Sequence, residues 1–144
     1  MEIPFGSHAY ETSLELRDEV LRKPLGRSIY QEDLSQDLKS HHLAAFLNHT
    51  QCVGILLMTP TSATEIKMRQ VAVKEELRGL NIGKYLVAFA EETALKLGFN
   101  KIVLNSRKTA IPFYEKQGYS KSGDEFLEVT LPHIRMEKIL QKGL

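Results

Sequence analysis

Three things are scarce in this sequence: cysteine, net charge and long apolar runs. The one cysteine, Cys52, excludes an intrachain disulfide, and its place in an apolar run reads as a buried core thiol. Nineteen Lys and Arg against 18 Asp and Glu leave a formal charge of +1. That balance, with no basic stripe interleaved with aromatics, argues against a nucleic-acid partner. No apolar run approaches the length of a membrane span, so no membrane partner is expected. Residues 1–13 hold no basic segment leading into an apolar one, so no secretory signal is expected and the cytoplasm is the expected location. His and Cys nowhere cluster at metal-ligand spacing; His41-His42 reads as a polar strand edge, and no metal is expected. Repeats, low-complexity tracts and linker-like stretches are missing too, so residues 1–144 read as a single domain able to bury its own core.

What is present alternates between helix and strand patterns. Ile3–Gly6 reads as a short strand, and Tyr10–Leu21 as a helix stopped by Lys23-Pro24-Leu25-Gly26. Ser28–Lys39 reads as a loop or short helix, with Asp33 and Asp37 four apart. Leu43–Asn48 and Cys52–Thr59 read as two strands joined by a tight turn, and Glu65–Val73 as a third. In that third strand Ile66 and Met68 are apolar on one parity, Val71 and Val73 on the other. A bulge near Arg69-Gln70 would bring both pairs to one side and pry the strand from its neighbour; a strand buried on both faces is the alternative. Ile82, Tyr85, Leu86, Phe89, Ala90, Ala94 and Leu97 form one face of a helix over Asn81–Leu97, ended by Gly98. Lys101–Leu104 reads as a buried strand and Ala110–Gln117 as a second amphipathic helix. Tyr119–Lys121 and Phe126–Thr130 read as a final strand pair around Ser122-Gly123-Asp124, while His133–Leu140 mixes strand and helix signals. The class is mixed α and β, with a strand–turn–helix–strand core over Glu65–Leu104.

Within that core, Leu77–Lys84 reads LRGLNIGK at a strand-to-helix turn. Glycines let the backbone come close to a ligand, the first amides of the helix are unpaired, and the helix dipole favours negative charge. The pattern points to a pyrophosphate-bearing cofactor. It does not fit a dinucleotide fingerprint, which wants three glycines and an acidic residue ending the next strand, here Leu104-Asn105. A P-loop is excluded by Gly83-Lys84-Tyr85, which lacks the following Ser or Thr.

Arg78-Gly79-Leu80-Asn81-Ile82-Gly83 resembles the acyl-CoA motif of the GNAT N-acetyltransferases, Q/R-x-x-G-x-G/A. Downstream, Ala110-Ile111-Pro112-Phe113-Tyr114-Glu115-Lys116-Gln117-Gly118-Tyr119 resembles the family's A-x-x-F/L-Y-x-K-x-G-F/Y. Each motif is moderately specific; both in this order, with a helix and strand between them, are strong. The closing Pro132-His133-Ile134-Arg135-Met136-Glu137-Lys138 is similar to a small bacterial subgroup ending in P-H-x-x-M-x-K.

The resemblance implies a GNAT fold: a central, mostly antiparallel twisted sheet with a splayed, bulged strand and flanking helices. It implies acetyl-CoA as acyl donor, with the backbone of Val71, Ala72 and Val73 pairing with pantetheine. Arg78, Gly79, Leu80, Asn81, Ile82, Gly83 and Lys84 would hold the pyrophosphate. Asn81 stands where the family often has glycine. Arg107 stands where many members carry a pantetheine-contacting asparagine, leaving Asn105 and Arg107 as alternatives for that contact. The implied reaction is direct attack of a primary amine, on a small molecule or a protein, in a ternary complex. Tyr114 is the implied acid toward the coenzyme A sulfur, since a phenol is protonated at pH 7. His133 is the first choice as general base because histidine titrates near neutrality; His42, Glu65 and Glu128 are further options. An acyl-CoA-binding regulatory module without turnover is the alternative function, and a homodimer is compatible with the resemblance.

Overall fold

The computed structural model describes residues 1–141. The chain divides into two compact units, one made of residues 1–59 and 69–90, the other of residues 60–68 and those from 91 on. In the first unit, helix α1 (His8–Leu21) starts two residues earlier than its apolar pattern, because Ser7 Oγ accepts the Tyr10 N–H at 3.1 Å. Such a cap is worth about 1 kcal/mol. Pro24 and the left-handed Gly26 (φ 70) follow the helix and stop it. The stretch to Lys39 carries two short 3₁₀ turns, Ile29–Gln31 and Ser35–Lys39.

Strands β1 (Glu2–Ile3), β2 (His41–Leu47) and β3 (Gln51–Pro60) pair antiparallel in sequence order. Asn48 (φ 54) and His49 (φ 64) both go left-handed at the β2–β3 turn, the hand that matches strand twist. Ile3, Leu16, Ala44, Cys52, Ile55, Leu57 and Ala72 close into one apolar cluster. Full burial of a Leu or Ile there contributes about 2 kcal/mol. A second cluster joins Tyr10, Leu14 and Ile29.

Strand β4 (Glu65–Val73) runs from the second unit into the first. Its backbone turns left-handed at Gln70 (φ 54), inside the residue pair where the bulge is expected. Beyond that step Ala72 is buried, while Val71 and Val73 are half-buried.

Helix α2 (Ile82–Lys96) buries Leu86, Val87, Ala90 and Ala94. This corrects the expected face: Tyr85 is 69% exposed and Leu97 46%. The inward stripe follows the Val87–Ala90–Ala94 spacing, one step round from Tyr85. Gly54 of β3 brings the start of α2 close. A Cβ there would lie 2.7 Å from Leu86 Cδ1 and 2.9 Å from Ile82 Cγ2.

In the second unit, Glu65–Met68 of β4 pairs parallel with β5 (Lys101–Arg107), which pairs antiparallel with β8 (Leu131–Ile139). The sequence patterns end β5 at Leu104. Pairing as far as Arg107↔His133 extends it and puts Asn105 and Arg107 on the strand. β6 (Ser120–Lys121) and β7 (Phe126–Glu128) do not pair with each other as expected; each pairs antiparallel with β8, whose run is all strand and long enough for both. The β1–β2, β2–β3, β5–β8, β6–β8 and β7–β8 pairs are thus antiparallel and β4–β5 is parallel, and the class is mixed α and β with flanking helices.

Helix α3 (Ile111–Lys116) follows a 3₁₀ turn and ends before the left-handed Gly118 (φ 93). Lys138 Nζ reaches Glu91 Oε1 (2.9 Å) and the Gln117 carbonyl (2.8 Å), while the Tyr119 hydroxyl donates to Glu91 Oε2 (3.0 Å). No helix among the described residues is long and apolar enough to cross a membrane.

Candidate functional site

In the first unit, the segment after β4 is tied to β3 by the Lys74 N–H on Val53 O (2.8 Å). A 3₁₀ turn over Glu75–Leu77 leads into Arg78-Gly79-Leu80-Asn81, all exposed. Gly79 (φ 90) and Asn81 (φ 65) are both left-handed. Asparagine tolerates that conformation, so the absence of a glycine at 81 costs the loop little. The Tyr85 N–H closes a helical bond on Asn81 O at 3.0 Å. The amides of Ile82, Gly83 and Lys84 precede that bond and carry the positive end of the α2 dipole. Among the described residues neither Arg78 nor Lys84 forms an ion pair. Free amides, a positive helix end and two uncommitted cations fit an anionic group such as a pyrophosphate.

The same unit holds a buried polar network that the sequence patterns miss. Arg17 is fully buried on α1, with Nη1 and Nη2 on the Asp37 carboxylate at 2.7 and 3.3 Å. The Tyr10 hydroxyl donates to the same carboxylate (2.7 Å), and Arg17 Nε donates to Gln70 Oε1 (2.9 Å). Burial pushes the Asp37 carboxyl up, but the bonds from Arg17 and Tyr10 outweigh it and hold it below the usual value. His42 is buried, with Nε2 on the Asp37 carbonyl at 2.8 Å and Nδ1 without a partner among the described residues. Burial lowers its pKa, so it is a neutral core histidine rather than part of a polar strand edge. The signal that could have found this network is Arg17 itself: with Tyr10, Leu14 and Leu21 it shares the inward helical face, and a charge there demands a partner.

In the second unit, Tyr114 of α3 is buried and meets Phe113 and Tyr119 edge-on, with ring centroids 5.0 and 5.9 Å away. Burial pushes its phenol up to about 12. It is therefore a neutral hydrogen-bond donor at pH 7, and among the described residues its hydroxyl has no partner.

His133 of β8 lies between Phe126 and Arg107, its cross-strand partners on β7 and β5. Its ring stacks on Phe126 at 6.1 Å. Nδ1 is 2.9 Å from Leu131 O, which makes Nδ1 the donor and turns Nε2 toward Glu128 Oε2 at 3.5 Å. The other Glu128 oxygen accepts from Asn105 Nδ2 at 3.3 Å. Asn105, Glu128 and His133 are thus brought together, with Glu128 the exposed member. Glu128 and Leu131 flank a turn in which Val129 (φ 49) and Thr130 (φ 65) are both left-handed, a strained conformation for β-branched residues.

Other options fall away. Glu65 is committed to Lys101 (3.7 Å) and Arg135 (3.5 Å) in a ladder that also contains Glu137. Cys52 is buried and its thiol pushed up to about 11, so it is unreactive. Among the described residues no group of three or more His, Cys, Asp and Glu is placed to hold a metal.

Comparison with known proteins bears on this arrangement. Residues 13–140 match the acetyltransferase (GNAT) domain model. The uncharacterized N-acetyltransferase YjcF of Bacillus subtilis (strain 168) is 33% identical over 73 residues, covering 50% of this chain and 52% of YjcF. The chain spans about half the length of the first curated relatives it matches. Among solved structures, a Lactobacillus plantarum protein provisionally described as an N-acetyltransferase superposes with a TM-score of 0.87 at 24% identity, covering 98% of both chains. An aminoglycoside 6'-N-acetyltransferase complexed with coenzyme A gives 0.77 at 17% identity, over 100% of this chain and 98% of the other. At these identities the structures establish the shared fold.

Proposed function

Because the chain belongs to the GNAT acetyltransferase domain family, we propose that it moves an acetyl group from acetyl-CoA to a primary amine by direct attack in a ternary complex. The observation that carries this reading is the Arg78–Lys84 loop, with its left-handed Gly79 and Asn81, unpaired amides and two uncommitted cations. That set suits the pyrophosphate of coenzyme A, which the aminoglycoside acetyltransferase binds. Val71, Ala72 and Val73 offer backbone groups to the pantetheine amides, and Val71 N–H is the candidate donor for the thioester carbonyl. The whole of residues 1–144 serves as one catalytic domain.

In the reaction the amine nitrogen bonds to the thioester carbon and the C–S bond breaks. The nitrogen loses a proton, and the released thiolate takes one from solvent. Tyr114 donates a hydrogen bond to the departing sulfur. Its phenol, at about 12, lies roughly three pK units above an ordinary thiol, so it steadies the thiolate without giving up its proton. The proton from the amine goes to the Glu128–His133 pair. Glu128 is the exposed member and meets the acceptor; His133, with Nδ1 spent on Leu131 O, stands behind it. This reverses the order expected from the sequence, where His133 comes first. A carboxylate at that point favours an acceptor that arrives as an ammonium ion. Arg107, opposite His133, is available to an acidic group on the acceptor.

The test is coenzyme A release from acetyl-CoA over a panel of primary amines, with the acetylated product identified by mass. Amine-dependent release supports the reading. Acetyl-CoA binding with no release across the panel favours the regulatory module instead.

A further inference from the structure

We propose that Arg17 is a positioning residue that sets the left-handed step of β4 through Gln70, and so presents Val71–Val73 to the acyl donor. The inference rests on the acetyl-transfer reading above. A non-glycine residue at φ 54 inside a strand is strained, and something must hold it. The parallel register of β4 with β5 is Glu65↔Lys101 to Met68↔Leu104 and ends before Gln70, so that ladder does not supply the restraint.

What grips Gln70 is the buried guanidinium. Arg17 Nε donates to Gln70 Oε1 at 2.9 Å. The guanidinium cannot swing, because both Nη atoms are on Asp37, and Asp37 is itself fixed by the Tyr10 hydroxyl and, through its carbonyl, by His42 Nε2. A planar fork pinned on two nitrogens has no freedom left at the third. The line of contact runs from α1 and the Ser35–Lys39 turn to the residue just before Val71, with every member in one compact unit. A fully buried guanidinium also needs an acceptor for Nε, and the acceptor it has is the side chain at the left-handed step itself. That bond gives the step one geometry, and the backbone of the next three residues inherits it.

Substituting Gln70 tests this while leaving the Arg17–Asp37 pair intact. Gln70→Ala removes the acceptor; Gln70→Glu keeps an oxygen for Nε. The readouts are acetyl-CoA affinity by calorimetry, amide hydrogen exchange over residues 69–73, and Tm. Gln70→Ala is expected to weaken acetyl-CoA binding about tenfold, speed exchange over 69–73 and lower Tm by a few degrees, since the buried Nε loses its acceptor; a loss of that size is what one charge-assisted hydrogen bond supplies. Gln70→Glu is expected to restore the affinity and the exchange. Wild-type affinity in Gln70→Ala overturns the inference, whatever the exchange does, and so does weakened binding that Gln70→Glu fails to rescue. If the unaltered protein does not bind acetyl-CoA, the acetyl-transfer reading itself falls and this inference with it, a failure visible before any variant is compared.

Discussion

His133 Nε2 sits 3.5 Å from Glu128 Oε2, with the other side of the imidazole spent on the Leu131 carbonyl. In the proposed reaction it is therefore the pair that accepts the amine proton. Glu128→Gln is expected to lower kcat about a hundredfold or more with acetyl-CoA affinity unchanged, in the range that general-base removal gives. His133→Gln should lower kcat less and shift the pH–rate profile. Steady-state kinetics beside calorimetry check this; equal loss of affinity and turnover would place the pair in binding instead.

Tyr114→Phe keeps the aromatic packing on Phe113 and Tyr119 and deletes only the hydroxyl. Acetyl-CoA affinity should hold and kcat should fall about tenfold to a hundredfold, the worth of a hydrogen bond to developing negative charge. Single-turnover measurement isolates the chemical step. Unchanged turnover would reduce Tyr114 to a packing residue.

How much of this was legible in the sequence varies with the kind of signal. β4 and α2 announce themselves by periodicity, and the Arg78–Lys84 loop by its glycines and its place between them. His133–Leu140 was ambiguous because its apolar residues fit two periods; pairing with β5 on one side and β6 and β7 on the other decides for strand. The Asn105–Glu128–His133 contact was hidden because it joins β5 to the β7–β8 hairpin, with Asn105 and Glu128 23 residues apart in the chain. Arg17 and Asp37 were hidden for a similar reason: each reads as a solvated charge until the fold puts them 2.7 Å apart. Gln70 carried the bulge expectation, yet nothing local says which residue holds it.

Acid should destabilise the protein in two stages. His42 has a folded pKa below its unfolded value of about 6.5, so the unfolded chain binds the extra proton and stability falls as pH drops below that value. Asp37 is also depressed, so its contribution is present above about pH 3.9 and lost as pH falls through its folded pKa. Thermal melts across pH 7 to 3 should show both. His42→Gln should flatten the upper stage and leave the lower one. A Tm that rises on acidification to pH 5 would contradict the account.

Gly54 lets α2 start against β3, so Gly54→Ala should force Leu86 and Ile82 aside. Overpacking of this kind costs about 1–3 kcal/mol. Because Ile82 and Gly83 belong to the proposed anion cradle, acetyl-CoA affinity should fall together with Tm. Lost stability with intact affinity would show that the loop adjusts independently of the helix.

The left-handed Val129-Thr130 turn can be relieved. Asn and Gly are the residues that such a turn favours, so Val129→Asn with Thr130→Gly should raise stability by about 1–2 kcal/mol in denaturant titration. If the strain helps aim Glu128, kcat in this variant should drop while Tm climbs.

The most direct test of acetyl-CoA as the donor is a calorimetric titration of the purified protein with acetyl-CoA, beside NAD and ATP, repeated on Gly83→Glu. The account predicts saturable binding of acetyl-CoA alone, weakened strongly when a side chain and a negative charge enter the cradle. Absence of acetyl-CoA binding, or wild-type affinity in Gly83→Glu, would contradict it.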